Sequence, residues 1–179
     1  MILDLVDCND PILREEMERF DFSNPPVDPY ELAANLAETM LENNGLGLSA
    51  NQCGLPYRVF VMHSEPLPLV FFNPRIVDVS EEQVILEEGC LSFPGLYIKI
   101  KRPRRIKVRY QEPNGNTTTQ VFEDLSARVF QHELDHLNGI VHTRRANRYH
   151  IEQARKAMKK NKSRGLSSQT LNALERIVV

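Results

Sequence analysis

Leu32, Leu36 and Met40 recur at four-residue spacing, which marks one buried stripe of a helix. The pattern predicts a helix over residues 28–42. Asp28 can cap it, Pro29 suits the first helical position, and Glu31 completes a capping-box pattern. Asn44-Gly45 stops it. The period then changes. Residues 58–62, 69–72, 75–79 and 83–87 are short apolar or β-branched runs broken by Pro, Ser and acidic residues, so they read as strands. Over residues 98–101 and 105–111 apolar and basic positions alternate. Ile98, Ile100, Ile106, Val108 and Tyr110 should face inward; Lys99, Lys101, Arg105, Lys107 and Arg109 should face outward. Pro113-Asn114-Gly115-Asn116 is a hairpin signal, and residues 117–122 return as the next strand. A second helix is expected over residues 125–138, ending at Gly139. A third is expected over 149–160, with Gly165 closing the basic stretch after it. Strands with short connections, and helices segregated from them, read as α+β: short, mostly antiparallel strands packed around a central helix. The organisation expected is one catalytic domain over residues 1–165, with residues 166–179 as a tail or short helix.

Composition narrows the function classes. The chain has 179 residues, enough for one domain with a sizeable core, and 41% of them are hydrophobic. Twenty-two basic residues face 24 acidic ones, so wholesale nucleic-acid binding through a basic surface is not expected. No apolar run approaches the length of a membrane span, and the first ten residues lack the pattern of a signal peptide. Cys8, Cys53 and Cys90 cannot complete a disulfide framework, so a reducing compartment is expected: the cytoplasm, or its equivalent in a host or organelle.

Three segments carry candidate chemistry. His132-Glu133-Leu134-Asp135-His136 puts two imidazoles one helical turn apart, where they can share a divalent metal. Glu133 on the adjoining face can reach a water at such a metal and take its proton. H-E-x-x-H also arises by chance, and alone it reads equally well as a polar helix face. Glu88-Gly89-Cys90-Leu91-Ser92 offers a third ligand from a loop after a strand; two His and one Cys would leave a fourth position open. A buried packing cysteine is the alternative. Gly45-Leu46-Gly47-Leu48-Ser49-Ala50-Asn51-Gln52 has alternate glycines that let a backbone run beside a ligand, and Gln52 offers an amide donor for an oxyanion. Alone, this segment reads first as a tight loop after a helix.

Together and in this order, the three segments resemble the peptide deformylases, whose motifs are G-x-G-x-S/A-A-x-Q, E-G-C-L-S and Q-H-E-x-D-H. They stand here at 45–52, 88–92 and 131–136, and Asp10-Pro11-Ile12-Leu13-Arg14 is similar too. The resemblance covers roughly residues 1 to 160. It implies metal-dependent hydrolysis of the N-formyl group from the initiator methionine of nascent chains, releasing formate. It implies Cys90, His132 and His136 as ligands of one divalent metal, Fe²⁺ natively with Zn²⁺ or Ni²⁺ able to substitute. Glu133 would be the acid–base residue, and the Gln52 amide and the Leu91 backbone N–H the oxyanion donors. Backbone at Gly45, Gly47 and Gly89 would pair with the peptide as an added strand. Leu46, Leu86, Leu125 and Val129 would line the methionine pocket, and Asp135 would orient a ligand histidine or tie the helix down. Ser49 stands where Ala is frequent, and Tyr97 lies about where some members carry a basic residue that this stretch lacks.

His132 to His142 also fits H-E-x-x-H-x-x-G-x-x-H, in which the last His is the third ligand of metzincin zinc proteases. Cys90 in its family-like context argues against that reading, as does Met158, which sits in a basic helical stretch and not in a tight turn. His142 is then expected on the surface or in a strand. A closed structural zinc site is a further alternative, but it would leave Glu133 and Gln52 without roles. Arg155, Lys156, Lys159, Lys160, Lys162 and Arg164 form a basic cluster that could dock on a ribosome. The expected state is a monomer.

Overall fold

The computed structural model describes residues 1–164, so the tail expected over 166–179 lies outside the described residues. In chain order the strands are β1 (Gly47–Ser49), β2 (Val59–Met62), β3 (Leu69–Val79), β4 (Gln83–Cys90), β5 (Phe93–Pro103), β6 (Arg105–Gln111) and β7 (Thr117–Glu123). The α-helices are α1 (Pro29–Glu42), α2 (Asp124–Leu137) and α3 (Arg148–Ser163). Five strands form one antiparallel sheet in the order β1-β2-β3-β6-β7, and β4-β5 forms a separate antiparallel pair. The α+β expectation holds, with α2 as the central helix.

Local chemistry explains the boundaries. The Asp28 carboxylate accepts the N–H groups of Tyr30 at 2.9 Å and Glu31 at 2.8 Å, satisfying donors that the first turn of α1 leaves free. Leu32, Leu36 and Met40 are buried as their spacing requires. Asn44 adopts a φ of 54° just past the end of α1. The inward and outward sets expected for β5 and β6 are as observed, with Arg105 half-buried.

Two differences are informative. Residues 69–79 form one strand where two were expected. Asn73 takes a φ of 50° and the ladder shifts register between Phe72 and Arg75. A bulge of this kind admits Pro74 without ending the strand. Asn73 holds it: its Oδ1 accepts Phe20 N–H at 2.8 Å and its Nδ2 donates to Gln111 Oε1 at 2.8 Å. Likewise Glu88–Cys90, expected in a loop, continues β4, and Leu91-Ser92 is the turn into β5. Glu and Gly are poor strand formers. Here cross-strand pairing, Glu87 with Lys99 and Glu88 with Ile98, overrides that preference.

Every residue of α2 from Ala127 to Leu137 is buried. Ala127, Phe130, Leu134 and Leu137 make the stripe that packs on the five-stranded sheet. Phe130 meets Phe60 at a centroid distance of 5.0 Å and Phe71 at 5.1 Å, both edge-on, the favourable aromatic arrangement. The rest of α2 carries Arg128, His132, Glu133, Asp135 and His136 toward the other elements. Helix α3 covers β5, placing Ala154, Ile151 and Met158 against Leu96, Ile98 and Ile100.

Gly139 ends α2 with φ 67°, and a Cβ there would lie 2.6 Å from the Arg14 backbone carbonyl. The left-handed conformation and this close approach both demand glycine. Gly139→Ala is expected to destabilise the fold by about 2 kcal/mol or more, measured as a lowered midpoint in denaturant unfolding.

Candidate active site

Helix α2 and the end of β4 bring the three expected ligands together. His132 and His136 stand one turn apart with their Nε2 atoms 3.2 Å from each other. The Cys90 Sγ lies 3.2 Å from His136 Nε2. The ligand atoms of all three lie within 4.8 Å of one another, and all three side chains are buried. A register shift between Glu88 and Cys90 accompanies the turn that places the thiol there.

The donor set fits a metal ion. His132 Nδ1 meets Glu88 Oε2 at 2.9 Å, which fixes the tautomer protonated at Nδ1 and leaves the Nε2 lone pair facing His136 and Cys90. Two imidazole nitrogens and one sulfur converging at this range suit a first-row divalent ion with an open fourth position. The local field also favours a cation. Burial pulls the metal-free His132 ring down, but Cys90 and Glu88 outweigh it and hold the ring up at about 10. Burial and the neighbouring His132 push His136 well below the usual range.

Glu88 anchors the site. It accepts from Arg102 Nε at 2.6 Å and Arg102 Nη2 at 3.0 Å, from Arg128 Nη1 at 2.8 Å, and from His132. Burial raises its pKa, yet the hydrogen bonds from His132 and Arg102 win and hold it well below the usual carboxylate range. Arg102 also donates to Asp135 Oδ2 at 2.8 Å, and Arg145 donates to the same oxygen at 2.9 Å. Asp135 therefore ties the helix down. It reaches His132 only through Arg102 and Glu88.

Glu133 is fully buried beside the ligands. Its Oε2 accepts the Ser49 hydroxyl, and its Oε1 has no hydrogen-bond partner among the described residues. Burial, partly countered by the nearby His132, pushes its carboxyl up to about 7. Gly47 is required for this placement, because a Cβ there would lie 2.6 Å from Glu133 Oε1 and 2.7 Å from its Cγ. Gln52 is buried too. Its Oε1 accepts Ser49 N–H at 2.8 Å, and its Nε2 donates to Ser92 Oγ at 3.1 Å and faces Cys90 Sγ at 3.8 Å. Segment 45–52, which alone reads first as a tight loop, is β1 followed by a 3-10 turn over Ala50–Cys53. A Cβ on Gly45 would meet the Leu91 side chain at 2.8 Å, so these two segments also touch. Leu46 packs in the same cluster as Val129; Leu86 is half-buried, and Leu125 is 42% exposed one turn before Val129. Gly89 is buried within β4. Cys53 stands apart: burial raises its thiol to about 12, so at neutral pH it is a packing residue.

One expectation needs correction. His142 is neither on the surface nor in a strand. It is 1% exposed, in a 3-10 turn over His142–Arg144, with its ring 5.9 Å from that of His132. Gly139 does turn the chain back toward the metal-ligand helix. The His142 Nε2, however, meets the Leu96 carbonyl at 3.3 Å, and Cys90 completes the ligand group. Sequence reasoning assigned no role to Arg102, Arg128, Arg145 or Ser49. Arg102 was detectable: it shares the inward parity of Ile98 and Ile100, where a basic residue must find a buried acid.

A buried Cys-His-His group that could hold a metal, with a carboxylate oxygen unpartnered among the described residues beside it, is the kind of site a metallohydrolase has. The model of the polypeptide deformylase family matches residues 2–152. A peptide deformylase of Thermotoga petrophila is 41% identical over 137 residues, covering 74% of this chain and 79% of its own. The crystal structure of a plant peptide deformylase has a TM-score of 0.81 at 32% identity, covering 92% of this chain and 94% of its own. That of a class I type b peptide deformylase from Acinetobacter baumannii, with Met-Ala-Ser bound, has a TM-score of 0.76 at 33% identity, covering 81% and 98%. The chain belongs to the peptide deformylase family. It is a hydrolase, and its reaction is the deformylation of nascent peptides; nothing in these relatives points to a metzincin protease.

Two outcomes are expected. Glu88→Gln keeps all three ligands but weakens the bond to His132, so metal affinity should fall about 10–100-fold in competition with a chelator. His142 has its pKa lowered to about 4, first by burial and then by His132. The unfolded chain binds this proton more readily, so stability is complete above about pH 6.5 and is lost as pH falls toward 4, by on the order of 3 kcal/mol. Denaturant unfolding at several pH values should show His142→Leu flattening that window.

Proposed function

We propose that the chain carries out this hydrolysis with Glu133 as base and then acid, and with Gln52 and the Leu91 backbone N–H as oxyanion donors. The observation that carries the reading is the Glu133 carboxylate: fully buried, held by one oxygen, its other oxygen unpartnered among the described residues, one position from a ligand histidine. A divalent metal held by Cys90, His132 and His136 would supply Lewis acidity and lower the pKa of a water in the open position. Fe²⁺ is the proposed native ion, with Zn²⁺ or Ni²⁺ as substitutes.

Glu133 Oε1 takes the water proton as the water oxygen attacks the formyl carbon. The carbonyl oxygen gathers negative charge and is met by the Gln52 amide and the Leu91 N–H. The C–N bond breaks, Glu133 passes its proton to the departing nitrogen to give a free amine, and the formic acid released ionises to formate, its proton going to solvent or to the amine. Ser49 N–H occupies Gln52 Oε1, so the amide turns its NH₂ side toward Cys90. Among the described residues β1 lies at the edge of its sheet and β4 is paired only with β5, so backbone near Gly45, Gly47 and Gly89 suits pairing with an extended peptide. Leu46, Leu86, Leu125 and Val129 would receive the methionine side chain. Binding of Met-Ala-Ser by the Acinetobacter relative supports a substrate that begins with methionine.

Helix α3 exposes Arg155, Lys156, Lys159, Lys160 and Lys162, Arg164 is exposed just past its end, and this basic surface is proposed to dock on a ribosome. Among the described residues no helix is long and apolar enough to cross a membrane. Cys8, Cys53 and Cys90 are free thiols, in keeping with the proposed cytoplasm or an equivalent reducing compartment; a monomer is also proposed, with residues 1–165 as its catalytic domain.

The reading is tested with anaerobically prepared, iron-loaded protein. A formyl-methionyl peptide should release formate, and an unformylated peptide should remain uncut. Glu133→Gln should lower turnover about 10²–10⁴-fold while metal content stays at wild type. Internal cleavage without formate release would overturn the assignment.

A further inference from the structure

We propose that the Ser49 hydroxyl is a positioning device for Glu133, fixing which carboxylate oxygen faces the reacting centre. The inference rests on the reading of Glu133 as the base. Ser49 is fully buried in β1, two residues beyond Gly47, so both project to the same face of the strand. Its hydroxyl donates to Glu133 Oε2 and also lies 3.1 Å from the Glu133 backbone carbonyl. A hydroxyl has one proton, and the carboxylate is the stronger acceptor.

Two features make the hydroxyl matter. The terminal torsion of a glutamate is broad and nearly two-fold, so packing alone holds the carboxylate plane weakly. On the Gly47 side the backbone limits movement, since even a Cβ would strike Oε1 and Cγ. The hydroxyl closes the other side. It holds Oε2 and leaves Oε1 as the oxygen without a partner among the described residues. Were the hydroxyl absent, a buried Oε2 would lose its only side-chain donor among the described residues, and the carboxylate could turn.

Ser49 has a second arm that does not depend on its side chain. Its backbone N–H donates to Gln52 Oε1 at 2.8 Å, as any non-proline residue could. Ala at this position would keep the Ser49 N–H bond to Gln52 Oε1 and lose what the hydroxyl supplies, the bond to Glu133 and the capping contact with the Gln52 N–H. The two arms are therefore separable by one substitution.

The test compares Ser49→Ala, Ser49→Thr and Glu133→Gln with the wild type. Turnover is measured on formyl-Met-Ala-Ser, and the visible spectrum of each protein is recorded with Co²⁺ in place of the native ion. Ser49→Ala is expected to lower kcat about tenfold, with KM within twofold and the cobalt spectrum unchanged. Ser49→Thr, which retains the hydroxyl, should recover at least half of the wild-type kcat. If Ser49→Ala keeps wild-type kcat while Glu133→Gln abolishes turnover, the positioning role is wrong and the base assignment stands. If Glu133→Gln retains turnover, the base assignment itself fails. A shifted cobalt spectrum, a raised KM, or a Thr variant no better than Ala would make Ser49 merely structural and overturn the proposal.

Discussion

The Glu88 carboxylate and the cations around it are the constraint on which the rest of the structure depends. A lone buried carboxylate costs several kcal/mol in lost hydration. Glu88 has no exposed surface, yet donors from β5 and α2 fill its oxygens: Arg102, Arg128 and His132. A two-stranded pair such as β4-β5 has little stability by itself. This network fastens it to the central helix. Arg128 adds bonds to the Val84 carbonyl at 2.6 Å and the Ile100 carbonyl at 2.9 Å, so one side chain of α2 clasps both strands. Cys90 rides on β4 and the histidines on α2. The same charges that join the two elements thus set the spacing of the ligand group.

Burying so much charge is weak evidence for stability, because replacing such networks by apolar packing is often neutral or stabilising. Geometry is the better account here. Helix α2 has to serve two surfaces at once. Its Phe130 stripe needs a dry aromatic core, and its polar residues need fixed partners. Asp135 shows the division of labour. It sits between the two ligand histidines in sequence but projects to Arg102 and Arg145, anchoring the helix from outside the ligand group. The polar side of α2 is ordered because each charge is answered by a named partner on a neighbouring element.

Much of this was legible in the residues. The period of α1, the alternation in β5 and β6, the hairpin at Asn114-Gly115 and the two histidines one turn apart each follow from local rules. What was not legible depended on distant partners. Glu88–Cys90 read as a loop because its strand character comes from pairing with β5, not from its own propensities. β3 read as two strands because Pro74 hides a bulge that Asn73 sustains through contacts with Phe20 and Gln111. Ser49 looked like a minor departure from a common alanine. Its hydroxyl acquires meaning only when β1 is laid against α2, 84 residues further along.

The eleven positions from His132 to His142 show where local reading stops. The same letters spell two metal sites, and the glycine that would return the third histidine is present. The decision is made by competition for two groups. The Leu96 carbonyl, on β5, takes the His142 nitrogen, while the turn between β4 and β5 delivers Cys90 to the histidine pair. Both events belong to the same strand pair. A helix with this sequence against a different partner could have recruited His142. What makes it a Cys-His-His site is the β4-β5 hairpin, and what holds that hairpin in place is Glu88.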